Sequence, residues 1–165
     1  MDEKTNVIRL LTQKKIKFQS YHLDISEAVS GVEMAAMLKQ NPAQVFKTLV
    51  TVGKTKTNYV FVIPVAEELD LKKAAKCVGE KSIEMIKSKE LLPLTGYVHG
   101  GCSPIGMKKS LKTTLHESAK DFDSIIFSAG KIGYQVQVNV TDLEKVIRLG
   151  YGDVIKSESE LEKEA

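Results

Sequence analysis

Val7, Leu10 and Leu11 recur at helical spacing after Thr5, and Lys14 and Lys15 follow where a helix C-terminus favours cations, so residues 5–15 are predicted to form a helix. The period then changes. Ile16 to His22 alternates as a strand does, residues 24–31 read as a loop, and Val32 to Gln40 reads as a short helix of Ala, Met and Leu. Asn41-Pro42 is a helix-start pair that supports a single turn, feeding Lys47 and a strand from Thr48 to Val52. A polar turn at 53–58 and a returning strand from Tyr59 to Val65 follow. Asp70 is placed to cap a helix running to Val78, with Gly79 to stop it. Further on, Ser82–Met85 reads as a strand, with a short helix to Leu92. Tyr97–His99 is predicted to be a strand entering a glycine-rich segment. Thr113–His116 and Asp123–Ser128 are strands around a helical turn at 117–122, and Tyr134–Val140 has the cleanest alternation in the chain. Thr141-Asp-Leu-Glu144 has the spacing of a capping box, which predicts a last helix ending at Gly150. Strands outnumber helices without strict βαβ alternation, so the predicted class is α+β.

Composition narrows this picture only slightly. A chain of 165 residues, 42% hydrophobic and 27% charged, suits one globular domain. Ser157 to Ala165 is Glu-rich with little to bury, so the expected organisation is a domain over 1–156 and an acidic, disordered tail over 157–165. No apolar run has the length of a membrane span, and Met1–Asn6 lacks signal-peptide character, so a cytoplasmic protein is expected. Cys77 and Cys102 lie far apart and read as reduced thiols. Net charge is +3; the tail contributes −3, leaving +6 on the body, a balance that suits a polyanionic partner without requiring one.

Chemistry concentrates in three stretches. Gly96 to Lys109 holds four of the eleven glycines together with His99, Cys102, Ser103 and Pro104. Backbone of this kind turns sharply or approaches something closely, and its amides suit an oxyanion; the alternative is a packing corner. Gly101 and Gly106 have P-loop spacing, but Met107 replaces the required lysine, which argues against a nucleotide triphosphatase. Lys47 lies among Phe46, Leu49 and Val50, either facing solvent or pointing an ammonium into a pocket. Phe127 to Gly133 is a small-residue hairpin turn. His22, His99 and His116 are scattered without metal-ligand spacing. No acid is evidently placed to complete a triad with His99 and Ser103, and Cys102 lacks an evident base.

Taken with Leu69 to Lys76, these stretches resemble the YbaK/EbsC family over about Tyr21 to Gly150. Its members are free-standing aminoacyl-tRNA deacylases related to the editing domain of some prolyl-tRNA synthetases. The resemblance implies a mixed, barrel-like sheet surrounded by short helices. It implies trans-editing without metal or organic cofactor, most simply removal of Cys from tRNA(Pro), with the aminoacylated 3′ end as substrate and prolyl-tRNA synthetase as a partner. It assigns Lys47, Gly101 and Ser103 to catalysis. Tyr21, Thr48, Gly100, Pro104, Gly106, Ser128, Ala129, Gly130 and Gln135 are assigned to the substrate. In the Cys-tRNA(Pro) deacylases of this family the substrate's own thiol attacks its ester. Gln135 stands where the best-studied branch has a carboxylate, which leaves the amino-acid preference open; His99 and Cys102 also depart from the family pattern. The alternative is a binding module that keeps the fold and holds an aminoacyl or nucleotide ligand without hydrolysing it.

Overall fold

In the computed structural model, which describes residues 4–157, the chain opens with α1 (Asn6–Gln13). The Thr5 hydroxyl accepts from the Ile8 amide at 3.2 Å, and Val7 and Leu11 are fully buried, as their spacing predicts. Of the acidic tail expected over 157–165, all but Ser157 lies outside the described residues. β1 (Phe18–His22), α2 (Gly31–Met37), β2 (Phe46–Gly53) and β3 (Asn58–Pro64) follow, with a single turn between α2 and β2. Then come α3 (Leu71–Val78), β4 (Ile83–Met85), α4 (Ser88–Thr95), β5 (Lys112–His116), β6 (Ser124–Ser128), β7 (Tyr134–Asn139), α5 (Val140–Leu143) and β8 (Leu149–Gly152). Helix α3 ends as its sequence dictates. Asp70 accepts from the amides of Lys72 and Lys73, and Gly79 closes it at φ 79°.

The strands form two sheets, β1-β7-β6 and β4-β2-β3-β5-β8, joined by one parallel bridge between Val45 and Ile126. The result is a single α+β domain with mixed strand directions and no closed barrel, because β3–β5 and β5–β8 are parallel and the two sheets remain separate ladders. Strand β3 explains the layering. Val60 and Val62 enter the core shared with α1, β6 and β7, while Tyr59, Phe61 and Ile63 enter a second core under α3. Covered on both faces, β3 is apolar at successive positions rather than alternately. Among the described residues, no helix is long and apolar enough to cross a membrane.

Two predicted elements differ. Tyr97–His99 is not a strand: Tyr97 is buried, and its hydroxyl donates to the Ile105 carbonyl across the glycine loop. The last helix stops at Leu143, and the chain returns as β8, pairing Leu149 with Thr113 and Tyr151 with Leu115. Glu144 does not close a capping box at Thr141. Its carboxylate accepts from the Tyr151 hydroxyl at 2.6 Å, so tertiary pairing overrides the local signal.

Candidate active site

Strand β2 has an open edge. Val45 accepts from Val65 on the β3 side and Gly53 donates to Thr57, so odd-numbered residues bond toward β3 and even-numbered ones face the other way. On that other side β4 pairs only with Thr51–Gly53, and the Ile86 amide reaches the Val50 carbonyl at 3.3 Å. Continued pairing would set Lys87 opposite Leu49. Instead the chain turns into α4, whose start at Lys87 carries no side-chain cap. The gap is a cavity of about 510 Å³ bounded by β2, the start of α4, the start of α2, the near end of the glycine loop and the β6–β7 hairpin. Its volume suits a small ligand.

Lys47 and Thr48 line this cavity from β2. Burial pulls the Lys47 pKa below its usual value, with Glu68 and then Glu67 pulling the other way. Its ammonium makes no hydrogen bond or close ion pair among the described residues, and neither does the buried Thr48 hydroxyl. A half-buried cation and a buried hydroxyl, both without a protein partner, are expensive unless a ligand supplies the acceptor. Lys87 adds a second cation to the wall, and no carboxylate among the described residues lines it. The uncapped start of α4 favours negative charge in the same place.

The far wall comes from the three-stranded sheet. Register places Tyr21 and Ser128 on either side of Gln135, on one face. Ser128 and Gln135 reach the cavity; the Gln135 side-chain oxygen Oε1 accepts from Nε2 of Gln40 at 2.7 Å. Tyr21 stops short of it, its hydroxyl donating to Gln137 at 2.6 Å. Ala129 is fully buried, and Gly130, at φ 99°, sits under the Tyr97 ring; its amide donates to the Ser128 hydroxyl at 3.1 Å. These two therefore support Ser128 rather than line the space.

Only the near end of the glycine loop faces the cavity, through His99, Gly100 and Cys102. Gly100 needs its glycine: φ is 87°, and a Cβ would lie 2.5 Å from that of Ala28. Gly101 packs against the backbone of Lys131 and Ile132. Ser103 is fully buried, its hydroxyl spent on the Ile105 amide at 3.3 Å, so it has no access to a substrate. Pro104, which is buried, and the half-buried Gly106 line a second cavity instead. The loop dives inward because Ile105 is a core residue. The Cys102 thiol is pushed up to about 12, chiefly by burial, which leaves it protonated and poorly nucleophilic at neutral pH. Among the described residues no group of three or more His, Cys, Asp or Glu could hold a metal ion.

Met34, Lys87, Ser88 and Tyr134 also line the cavity and escaped the sequence reading. Lys87-Ser88 carried one usable signal, a strand giving way to a helix beside a cation. Met34 and Tyr134 carried none.

The profile of the aminoacyl-tRNA editing domain matches residues 26–146. A protein of Enterococcus faecalis, provisionally named the Cys-tRNA(Pro)/Cys-tRNA(Cys) deacylase EbsC, is 46% identical over 137 residues, covering 82% of this chain and 84% of its own. A crystal structure described as a proposed trans-editing enzyme for prolyl-tRNA synthetase superposes with a TM-score of 0.80 at 21% identity, over 95% of this chain and 99% of that one. A scaffold protein used to present grafted epitopes superposes with a TM-score of 0.78 at 21% identity, over 92% and 95% of the two chains. At that identity, the last two speak for the fold alone.

Proposed function

The chain belongs to the aminoacyl-tRNA editing domain family, and from that premise we propose that it is a free-standing deacylase that removes cysteine from mischarged tRNA(Pro). The deacylase domain spans residues 1–156 and acts in the cytoplasm, with prolyl-tRNA synthetase as the enzyme whose errors it clears. Lys47 and the Thr48 hydroxyl and backbone hold the terminal nucleotide and ester. Gly100, Ser128 and Gln135 shape the space for the amino acid, with Tyr21, Ala129 and Gly130 behind them. Gly101 and Ser103 hold the loop in place rather than react.

One observation carries the mechanism. The cavity presents two cations and an unpaired hydroxyl, and neither nucleophile of the glycine loop can act: Ser103 is sealed in, and Cys102 holds its proton. The lining Ser30, which donates to Glu33 at 3.2 Å, is engaged in capping α2. The nucleophile therefore comes with the substrate. The cysteinyl thiol attacks its own carbonyl carbon, a C–S bond forms, and the ester C–O bond breaks. The thiol proton passes to the departing ribose oxygen, and the products are a thiolactone and free tRNA. Orientation alone gives large effects for such a reaction, with effective molarities of about 10⁵ M or more. Lys47 and the neighbouring amides stabilise the charge that develops on the carbonyl oxygen.

The test is a panel of tRNA(Pro) charged with cysteine, alanine or serine, with released amino acid measured over time. Cysteine should be released far faster than the other two. Equal release of alanine would require an activated water and would sink the substrate-assisted step. No release from any of them would favour a binding module that holds the aminoacyl end without cleaving it.

A further inference from the structure

A second cavity, of about 370 Å³, lies between the C-terminal end of α1, the distal half of the glycine loop and the approach to β8. Its cations are Lys14, Lys108, Lys109 and Arg148, with Ser110 between them and no acid in the lining among the described residues. All four are exposed, and none makes an ion pair or side-chain hydrogen bond among the described residues. Three lysines elsewhere pair with acids: Lys73 with Asp153 at 3.2 Å, Lys145 with Asp142 at 2.9 Å and Lys156 with Glu68 at 3.4 Å. Others, such as Lys72 and Lys76, stand singly with no acid partner among the described residues, whereas here four unpaired cations share one concavity. Like charges gathered around one concavity repel even through solvent, and a bound anion relieves that.

The frame carrying these charges is fixed. The Ile105 amide is held by Ser103, the Lys108 amide donates to the Thr95 carbonyl at 3.1 Å, and the Thr113 amide holds the Arg148 carbonyl at 3.2 Å. The amides of Gly106, Met107, Lys109 and Ser110 have no protein acceptor among the described residues. The floor is aliphatic, from Leu10, Ile105, Leu111, Val146 and Ile147, and no aromatic ring is present for a base to stack on. Exposed cations on three elements, with loop donors and no stacking platform, suit successive phosphates of a polymer backbone better than an enclosed small molecule.

We propose that this cavity holds backbone phosphates of RNA, and that it grips the body of the aminoacyl-tRNA whose 3′ end occupies the first cavity. The second clause rests on reading the first cavity as the deacylation site. One segment connects the two: Gly100 and Cys102 line the first, and Pro104 to Lys109 line the second. Pro104 and Gly106 thus meet the substrate at its backbone rather than at its ester.

The experiment uses the full chain and a variant carrying Lys108→Gln, Lys109→Gln and Arg148→Gln. Binding of deacylated tRNA(Pro) transcript is followed by fluorescence anisotropy across a KCl series. The variant should bind at least about tenfold more weakly, with a salt slope shallower by roughly two, since each lost phosphate contact removes about 0.7–0.9. A charge-matched control, Lys54→Gln, Lys56→Gln and Lys81→Gln, lies in neither cavity and should leave the slope unchanged. Cysteinyl-adenosine, which has the ester but no phosphate, should be cleaved equally by the native protein and the cavity variant. The proposal is overturned by an unchanged slope in the cavity variant, an equal loss in the control, or no salt-dependent binding by the native protein. Failure to cleave cysteinyl-adenosine by either protein would instead count against the first cavity as the deacylation site, and the tRNA measurement would still decide this one.

Discussion

Replacing Lys47 by methionine removes the ammonium while keeping an unbranched stem of similar volume. Burial holds the Lys47 pKa below 10.5 despite Glu68 and Glu67. A base with a depressed folded pKa binds fewer protons than the unfolded chain between that value and 10.5. Its contribution to stability is therefore present above 10.5 and lost as pH falls through the folded value. At neutral pH the charge is a net cost to the fold. The variant should melt no lower than the native protein, and any gain should be small, given about 2–4 °C per kcal/mol for a chain of this size. Activity should behave oppositely. A hydrogen bond from a charged donor contributes about 1.5–3 kcal/mol, so kcat/KM on Cys-tRNA(Pro) should fall by about 10- to 150-fold. Arginine should restore little, because a planar fork does not replace a compact ammonium in this space. The assays are labelled-cysteine release and a melt followed by circular dichroism. A variant within threefold of native turnover, or one melting more than about 5 °C lower, would refute the reasoning.

Cys102→Ala should retain activity within about tenfold, because a thiol near 12 offers almost no thiolate at neutral pH; a folded but inactive variant would make Cys102 the nucleophile. Ser103→Ala should cost about 1–3 kcal/mol in urea unfolding by stranding the buried Ile105 amide, while activity per folded molecule persists. His116 is buried, and its Nδ1 accepts from the Val154 amide at 3.3 Å. Burial pulls its pKa below 6.5 against Asp153, Glu117 and Glu67. Its stabilising contribution is complete above 6.5 and lost as pH falls through the folded value. The melting temperature of the native protein should thus drop more steeply from pH 7.5 to 5 than that of His116→Gln, and parallel curves would remove His116 from the account.

How much of this was legible depended on whether the deciding contacts were local. Asp70 and Gly79 bracket α3 within the segment itself, and both act as written. Leu149-Gly-Tyr-Gly has no alternation of its own and becomes a strand because Thr113–His116 offers an edge to pair with. Tyr97 alternates with His99 as strand residues do, yet burial of its ring and the Ile105 carbonyl decide its position. The site divides the same way. Lys47 and Thr48 share one short motif and one cavity. Tyr21, Gln135 and Ser128 lie in three strands that the pattern predicts well, but only register puts them in a row, and only depth separates Tyr21 from the other two. Glycine content marked the 96–109 loop as unusual backbone. It could not show that Ile105 pulls the middle inward and leaves the two ends on different cavities.

The unpaired edge of β2 has a consequence for solubility as well as for chemistry. An exposed strand edge is a template on which another chain can add, and proteins usually blunt it with charge, proline or a bulge. Here the unpaired stretch is short, because the Gln44 carbonyl accepts from the Ile126 amide at one end and the Val50 carbonyl from the Ile86 amide at the other. A stretch bounded at both ends leaves little length for an incoming β-strand, whereas an acyl group needs only a few atoms of it. The fold can keep that edge unfilled for a ligand without also offering it to a second polypeptide.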